Sequence, residues 1–249
     1  MGLLLWAELQ KLRRSNIILV NIFATILVAM FVFFSGKTTV YDSHAVGWYM
    51  TIALVWSTIF VLPAVIALLG SYMICREEQD DTIKSLRLIP INEAKLTVAK
   101  MIVTFIFSIL VYLLLFTITF LTEAVLHFSD LSLEVILSFL KMYFLQGIGV
   151  FLVVSPIIAI APYLKKSYWL SLVLAEIYSF AGLFMSMSNI SKTFYPITAV
   201  FGVSGYYDTT TRDWIYSAIV LLLCGCLSIF LLNGLNHRQK RKKSNEEIV

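Results

Sequence analysis

Six stretches of this chain, roughly 17–35, 49–74, 97–121, 135–161, 168–187 and 214–234, are almost free of charge and long enough to cross about 30 Å of hydrocarbon. A backbone in lipid has no water to satisfy its N–H and C=O groups, so each stretch must bond internally as a helix. The predicted class is therefore all-α, a polytopic membrane protein with six transmembrane helices. Composition agrees: 59% of the 249 residues are apolar and only 14% charged, which excludes an ordinary soluble domain. The first stretch is too long for a signal-peptide core and lacks a small-x-small cleavage site, so it reads as a retained anchor. Pro63 and Pro156 fall inside the second and fourth helices, where a kink is tolerated if neighbours satisfy the freed carbonyls. Gly147 and Gly149 beside Gln146 predict close helix contact in the fourth.

Lysine and arginine set the orientation. Lys11, Arg13 and Arg14 precede the first helix. Arg76, Lys84, Arg87, Lys95 and Lys100 lie about the second connection, and Lys165 and Lys166 about the fourth. Arg238, Lys240, Arg241, Lys242 and Lys243 close the chain. With alternating spans these 15 of the 19 basic residues share one side, leaving Lys37, Lys141, Lys192 and Arg212 for the other. The positive-inside rule then makes both termini cytoplasmic. Residues 1–237 form a single permease-like membrane domain, and 238–249 a basic cytoplasmic tail that anchors topology and meets anionic lipid. The outer connections are 36–48, 122–134 and 188–213. The last holds Tyr195, Pro196, Phe201, Gly202, Gly205, Tyr206 and Tyr207, which suit an interfacial belt or a re-entrant turn, or more sharply a ligand-facing mouth.

The second connection is the most charged part of the chain, with five acidic and five basic residues between Arg76 and Lys100. Ile83, Leu86 and Ile89 recur every third residue, the stripe of a short amphipathic helix that Asp81 caps and Pro90 ends. A half-apolar helix at the membrane surface suits docking of a soluble partner. Asn92 is placed to cap the third helix, which would project beyond the bilayer. At the amino terminus, Leu5, Leu9 and Leu12 share a face, with Glu8, Lys11 and Arg14 around the other. This piece would lie along the inner leaflet, basic side toward the headgroups, or form a plain charged flank.

Few constellations carry chemistry. Gly36-Lys37-Thr38 imitates the end of a phosphate loop, but Phe31 stands where the first glycine is required, so ATP hydrolysis is not expected of this chain. His44, His127 and His237 have no metal-ligand spacing, and no G-x-S-x-G elbow occurs. Cys75, Cys224 and Cys226 read as buried small hydrophobes. Asn189-Ile190-Ser191 is a chance sequon outside a glycosylating lumen. Glu176 is the one carboxylate deep in an expected span, where an ionised acid costs on the order of 3 kcal/mol. It should therefore face a cavity or a partner, or be protonated, and it either lines a substrate path or makes a structural hydrogen bond to Ser171, Tyr178 or another helix. Asn21 and Gln146 are cheaper polar residues, candidates for the same path or for interhelical contact. Glu134 and Lys141 suit the outer interface.

These pieces together resemble the membrane subunits of ABC transporters of the type-2 exporter class. Such subunits begin with an elbow helix of the form A-E-L-x-K-L-R-R-S, found here at 7–15. Their second-to-third loop reads acidic-x-x-x-T-[IL]-K-x-L-x-x-x-P-[IV], matched by Glu78, Thr82-Ile83-Lys84, Leu86 and Pro90-Ile91. The resemblance implies that Glu77, Glu78, Asp81, Thr82, Ile83, Lys84, Leu86, Ile89 and Pro90 belong to a coupling helix that fits a groove on a separate ATPase. It makes Glu8, Lys11, Arg13 and Arg14 part of the elbow. Within the class the wording is similar to bacitracin-resistance and lantibiotic-immunity permeases, which remove antimicrobial peptides from the membrane. The implied partners are an ABC ATPase subunit, a second permease copy or paralogue, membrane lipids and an amphipathic peptide substrate, with no nucleic acid. This chain would bind no cofactor and catalyse nothing, ATP and Mg residing on the ATPase. The plasma membrane of a Gram-positive bacterium fits a chain without an extended outer domain. The rival expectation is a non-transporting membrane sensor or scaffold whose acidic loop binds a regulatory protein. An intramembrane enzyme pairing Glu176 with an outer histidine is a third.

Overall fold

The computed structural model describes residues 2–13, 15–38, 46–79, 93–127, 131–163 and 168–246. Among them there is no strand. Helix α1 (Gly2–Arg13) precedes α2 (Ile17–Thr38), the first span. The second span is compound: α3 (Trp48–Trp56), a π-helical turn at Ser57–Val61, and α4 (Leu62–Gln79). Next come α5 (Glu93–Leu126), α6 (Leu133–Ile160) with a short 3-10 turn (Ala161–Tyr163), and α7 (Tyr168–Met185). Two short helices, α8 (Asn189–Phe194) and α9 (Pro196–Ser204), lead to α10 (Thr211–Glu246). Six helical segments are long and apolar enough to cross a membrane, and they match the six expected stretches. The third runs further than 97–121, to Leu126, and so takes in Glu123. Helix α5 starts at Glu93, with Asn92 itself outside the described residues.

Burial orders the spans into layers. The second and fourth are 72% and 61% enclosed, the others between 22% and 33%, so the second and fourth form the centre and the rest present apolar faces outward. The main core joins Met50, Leu54 and Ile66 to Tyr112 and Leu115, to Tyr143 and Val154, and to Ile197 and Phe201 of α9. Ordinary core packing thus extends through α9, a buried helix folded back among the spans rather than a loop at their surface.

Both prolines are compensated, in different ways. In α6, Pro156 denies an amide to the Leu152 carbonyl, and Ser155 Oγ donates to that carbonyl at 2.8 Å. In the second span the Leu62 amide reaches back five residues to Ser57, opening a π turn just before Pro63. Pro63 has no N–H for the carbonyls of Thr58 and Ile59. Ser179 of α7 donates to them instead, at 3.0 and 2.7 Å, one hydroxyl shared between two acceptors. The two glycines of α6 serve two neighbours. A Cβ on Gly147 would lie 2.9 Å from the Ile109 backbone of α5, and one on Gly149 would lie 2.7 Å from Val200 of α9. Ser108 Oγ donates to the Gly147 carbonyl at 2.8 Å across the first of these approaches.

Candidate functional site

The end of the bundle formed by α1, the last turns of α4 and the start of α5 carries the elements expected to meet a partner. Helix α4 continues as one rod to Gln79, so Glu77 and Glu78 occupy its last turn. Asp81, Thr82, Ile83, Lys84, Leu86, Ile89 and Pro90 lie outside the described residues. Helix α1 rests on the rods on either side of that segment. Leu12 is buried against Leu69 and Met73 of α4 and Val103 of α5, with Leu5 packed on the same cluster. Its facing differs from the expected one. Glu8 is 4% exposed, turned toward the spans, whereas Leu9 is 46% exposed and Trp6 64%. The reason is local charge: Lys11 Nζ holds Glu8 Oε1 at 2.7 Å one turn away, so the buried carboxylate keeps a counter-ion. Trp6 and Leu9 are then free to enter lipid beside exposed Arg13, while Arg14 lies outside the described residues.

The three polar residues assigned to a path do not form one cluster. Asn21 is fully buried near the N-terminus of α2, its amide donating to the Ile17 carbonyl at 2.7 Å. Gln146 is fully buried in α6 and donates to Ser204 Oγ at 3.1 Å, tethering α9 to the fourth span. Glu176 sits at the middle of α7, partly exposed. Its Oε2 is enclosed yet has no hydrogen-bond partner, and Ser171 Oγ is likewise unpartnered, so the structural bond to Ser171 is not made. Ser179, one turn along, is committed to the π turn. Thr58 Oγ1 and Tyr112 OH, 2.9 Å apart, join the second and third spans at the same turn.

A second buried carboxylate dominates the opposite end of the bundle, where α3 begins. Glu123 is fully buried and accepts from the amides of Gly47 at 2.8 Å and Tyr49 at 3.2 Å, the open N-terminus of α3. Oε1 also lies 3.0 Å from His127 Nδ1, one turn further along. A carboxylate from another helix thus caps the second span, where the positive end of the helix dipole favours it. Gly47 takes φ 86°, a left-handed geometry suited to glycine, and a Cβ there would lie 2.7 Å from the Phe139 ring. With His127 engaged by Glu123, the one outer histidine described with its side chain is not a partner of Glu176. Sequence reasoning passes over Glu123, although its spacing of four from His127 is a visible signal.

Around the re-entrant helices, Phe201, Tyr206 and Tyr207 form one aromatic group, and Lys192 Nζ lies 4.2 Å from the centre of the Tyr207 ring. Burial raises the phenol pKa of both Tyr206 and Tyr207, keeping them neutral. Among the described residues no group of three or more His, Cys, Asp or Glu side chains is arranged to hold a metal.

Residues 4–182, from α1 through most of α7, match the family described as ABC-2 family transporter protein. The chain is also 28% identical, over 134 residues, to the bacitracin transport permease protein BCRB of Bacillus licheniformis. That similarity covers 54% of this chain and 64% of the relative, less than two thirds of its length.

Proposed function

Because the chain belongs to the ABC-2 transporter family, we propose that it is the membrane-spanning permease subunit of an ATP-driven exporter, working with a separate ABC ATPase. The carrying observation is the extent of the family match, which includes the elbow, the whole charged connection and Glu176. The cargo is an antimicrobial peptide of the bacitracin or lantibiotic kind, or another amphipathic compound, removed from the membrane to give resistance or immunity. Similarity to a bacitracin permease favours an amphipathic cargo over a hydrophilic solute.

ATP binding closes two ATPases, and their movement pushes the coupling segment at 81–89. The rod α4 carries the push to the π turn and hence, through Ser179, to α7. Two permease copies, or this chain and a paralogue, form the pathway between them. Both termini are cytoplasmic, in the plasma membrane of a Gram-positive cell.

The test is reconstitution of the permease with its operon ATPase in liposomes. Leu86→Asp should lower ATPase stimulation to the basal rate of the partner alone, with membrane insertion unchanged. Transport and stimulation at native levels in that variant would refute the assignment of the coupling helix. Failure of any ATPase to co-purify with a tagged permease would favour the scaffold alternative.

A further inference from the structure

Helix α7 packs through its small residues. Ser171, Ala175, Ser179 and Gly182 are buried, whereas Ile177, Phe180 and Phe184 are exposed. Glu176 stands at the border of the two faces, ninth of 18 residues and so about 12 Å from either end of the helix. An ionised carboxylate at that depth demands a cation or a water-filled cavity. Its enclosed Oε2 has neither a donor nor an ion pair among the described residues. The lysines and arginines of the chain lie at or near span ends or in connections, the deepest being Lys141 in the outer third of α6. A second copy laid symmetrically over this face would bring Glu176 toward another carboxylate, not toward a cation.

An apolar cleft is linked to the acid's helix by a run of aromatic contacts. Phe180 lies one turn from Glu176 on the same helix, where residues spaced by four are neighbours. Its ring is 6.0 Å from Phe60, Phe60 stacks on Trp56 at 4.9 Å, and Trp56 meets Phe31 at 5.3 Å. These aromatics run into a cleft of about 330 Å³ between α2 and the π turn, lined by Leu27, Phe31, Trp56 and Phe60. That volume is at the small end of ligand sites, and its walls are apolar.

We propose that Glu176 and the aromatic cleft form one binding site for a cationic amphiphile, the carboxylate taking an ammonium or guanidinium group and the cleft taking the adjoining apolar part. The depth argues against a resident phospholipid. A lipid of either leaflet keeps its charged head at the membrane surface, whereas here the carboxyl group lies halfway along the spanning helix α7 and the cleft extends toward the end of the spans where α2 finishes and α3 begins. As cargo, the ligand presupposes the export function proposed above; as a bound molecule it does not.

The probes are a pyrene-labelled alkylammonium and its N-acetylated, uncharged analogue, titrated against the purified full-length permease in zwitterionic nanodiscs. The native protein should prefer the ammonium by about tenfold, the scale of a charge-assisted hydrogen bond. Glu176→Gln, which keeps the shape, should bind both probes equally, and Glu176→Asp should retain part of the preference. Phe31→Ala should weaken both probes to a similar degree. No preference in the native protein, or an undiminished preference in Glu176→Gln, overturns the site. Exclusion of both probes from the native protein also overturns it and would indicate a face closed by a second copy. No ATPase is present, so a negative result leaves the permease assignment intact, and a failed co-purification leaves the binding readout standing.

Discussion

Removing the Ser179 hydroxyl tests the account of the second span most directly. In the native protein, Ser179→Ala strips the donor from the Thr58 and Ile59 carbonyls, which Pro63 cannot serve. Interhelical polar contacts in membranes contribute about 0.6 kcal/mol on average and up to about 1.7. One hydroxyl shared by two otherwise unmet acceptors belongs near the top, so the expected loss is about 1.5 kcal/mol. Pro63→Ala returns an amide to position 63, which can bond Ile59 in α geometry or Thr58 in π geometry. In that background one carbonyl regains a partner along the helix, and Ser179→Ala should cost about half as much. The double-mutant cycle should therefore show a coupling of about 0.7 kcal/mol, beyond the 0.3–0.5 expected of independent sites. Reversible unfolding in mixed micelles of dodecyl maltoside and SDS measures all four proteins. Equal losses in the two backgrounds would refute the claim that Ser179 stands in for the missing proline amide.

Two further pairs of substitutions examine the Glu123 cap and the tight helix approach. Glu123→Ala leaves the buried amides of Gly47 and Tyr49 without acceptors, each costing about 1–3 kcal/mol, and should lower the melting temperature in detergent far more than Glu123→Gln, which keeps one acceptor oxygen. Hydrogen exchange should become faster at those two amides in Glu123→Ala; unchanged exchange would contradict the cap. Gly147→Val sets side-chain atoms against the Ile109 backbone and should destabilise by about 1–3 kcal/mol, whereas Gly225→Ala, where a Cβ meets only the tip of Leu152 at 3.2 Å, should be nearly neutral in the same unfolding assay.

The spans were legible because lipid leaves a backbone so few options, and a run of uncharged residues reports that restriction directly. Proline compensation was legible as a requirement, but its agent was not. Ser155 is the neighbour of Pro156, whereas Ser179 is remote from Pro63 in sequence and no local pattern links them. Glu123 escaped for a related reason. Its partners are backbone amides, which carry no residue signature, and the apolar run alone ended the third span before it. Once the carboxylate is satisfied, the helix can continue to Leu126. The elbow shows a failure of face assignment: counting leucines placed Glu8 outward, but its salt bridge with Lys11 lets it turn in while Leu9 and Trp6 turn out. Gln146 was open between path and interhelical contact from its residue type alone; it is hydrogen-bonded to Ser204 at the end of α9, a partner that lies 58 residues away and that no local pattern indicates.

The π turn at 57–61 also has a geometric consequence. Below it, α4 is an uninterrupted rod of 18 residues, about 27 Å long. Pivoted at the turn through about 10°, its far end would sweep roughly 5 Å, close to the pitch of one helical turn. A small rotation next to Ser179 and a large stroke at the far end of the rod are then two ends of the same lever, with Ser179 near the fulcrum and the acidic pair Glu77–Glu78 at the handle.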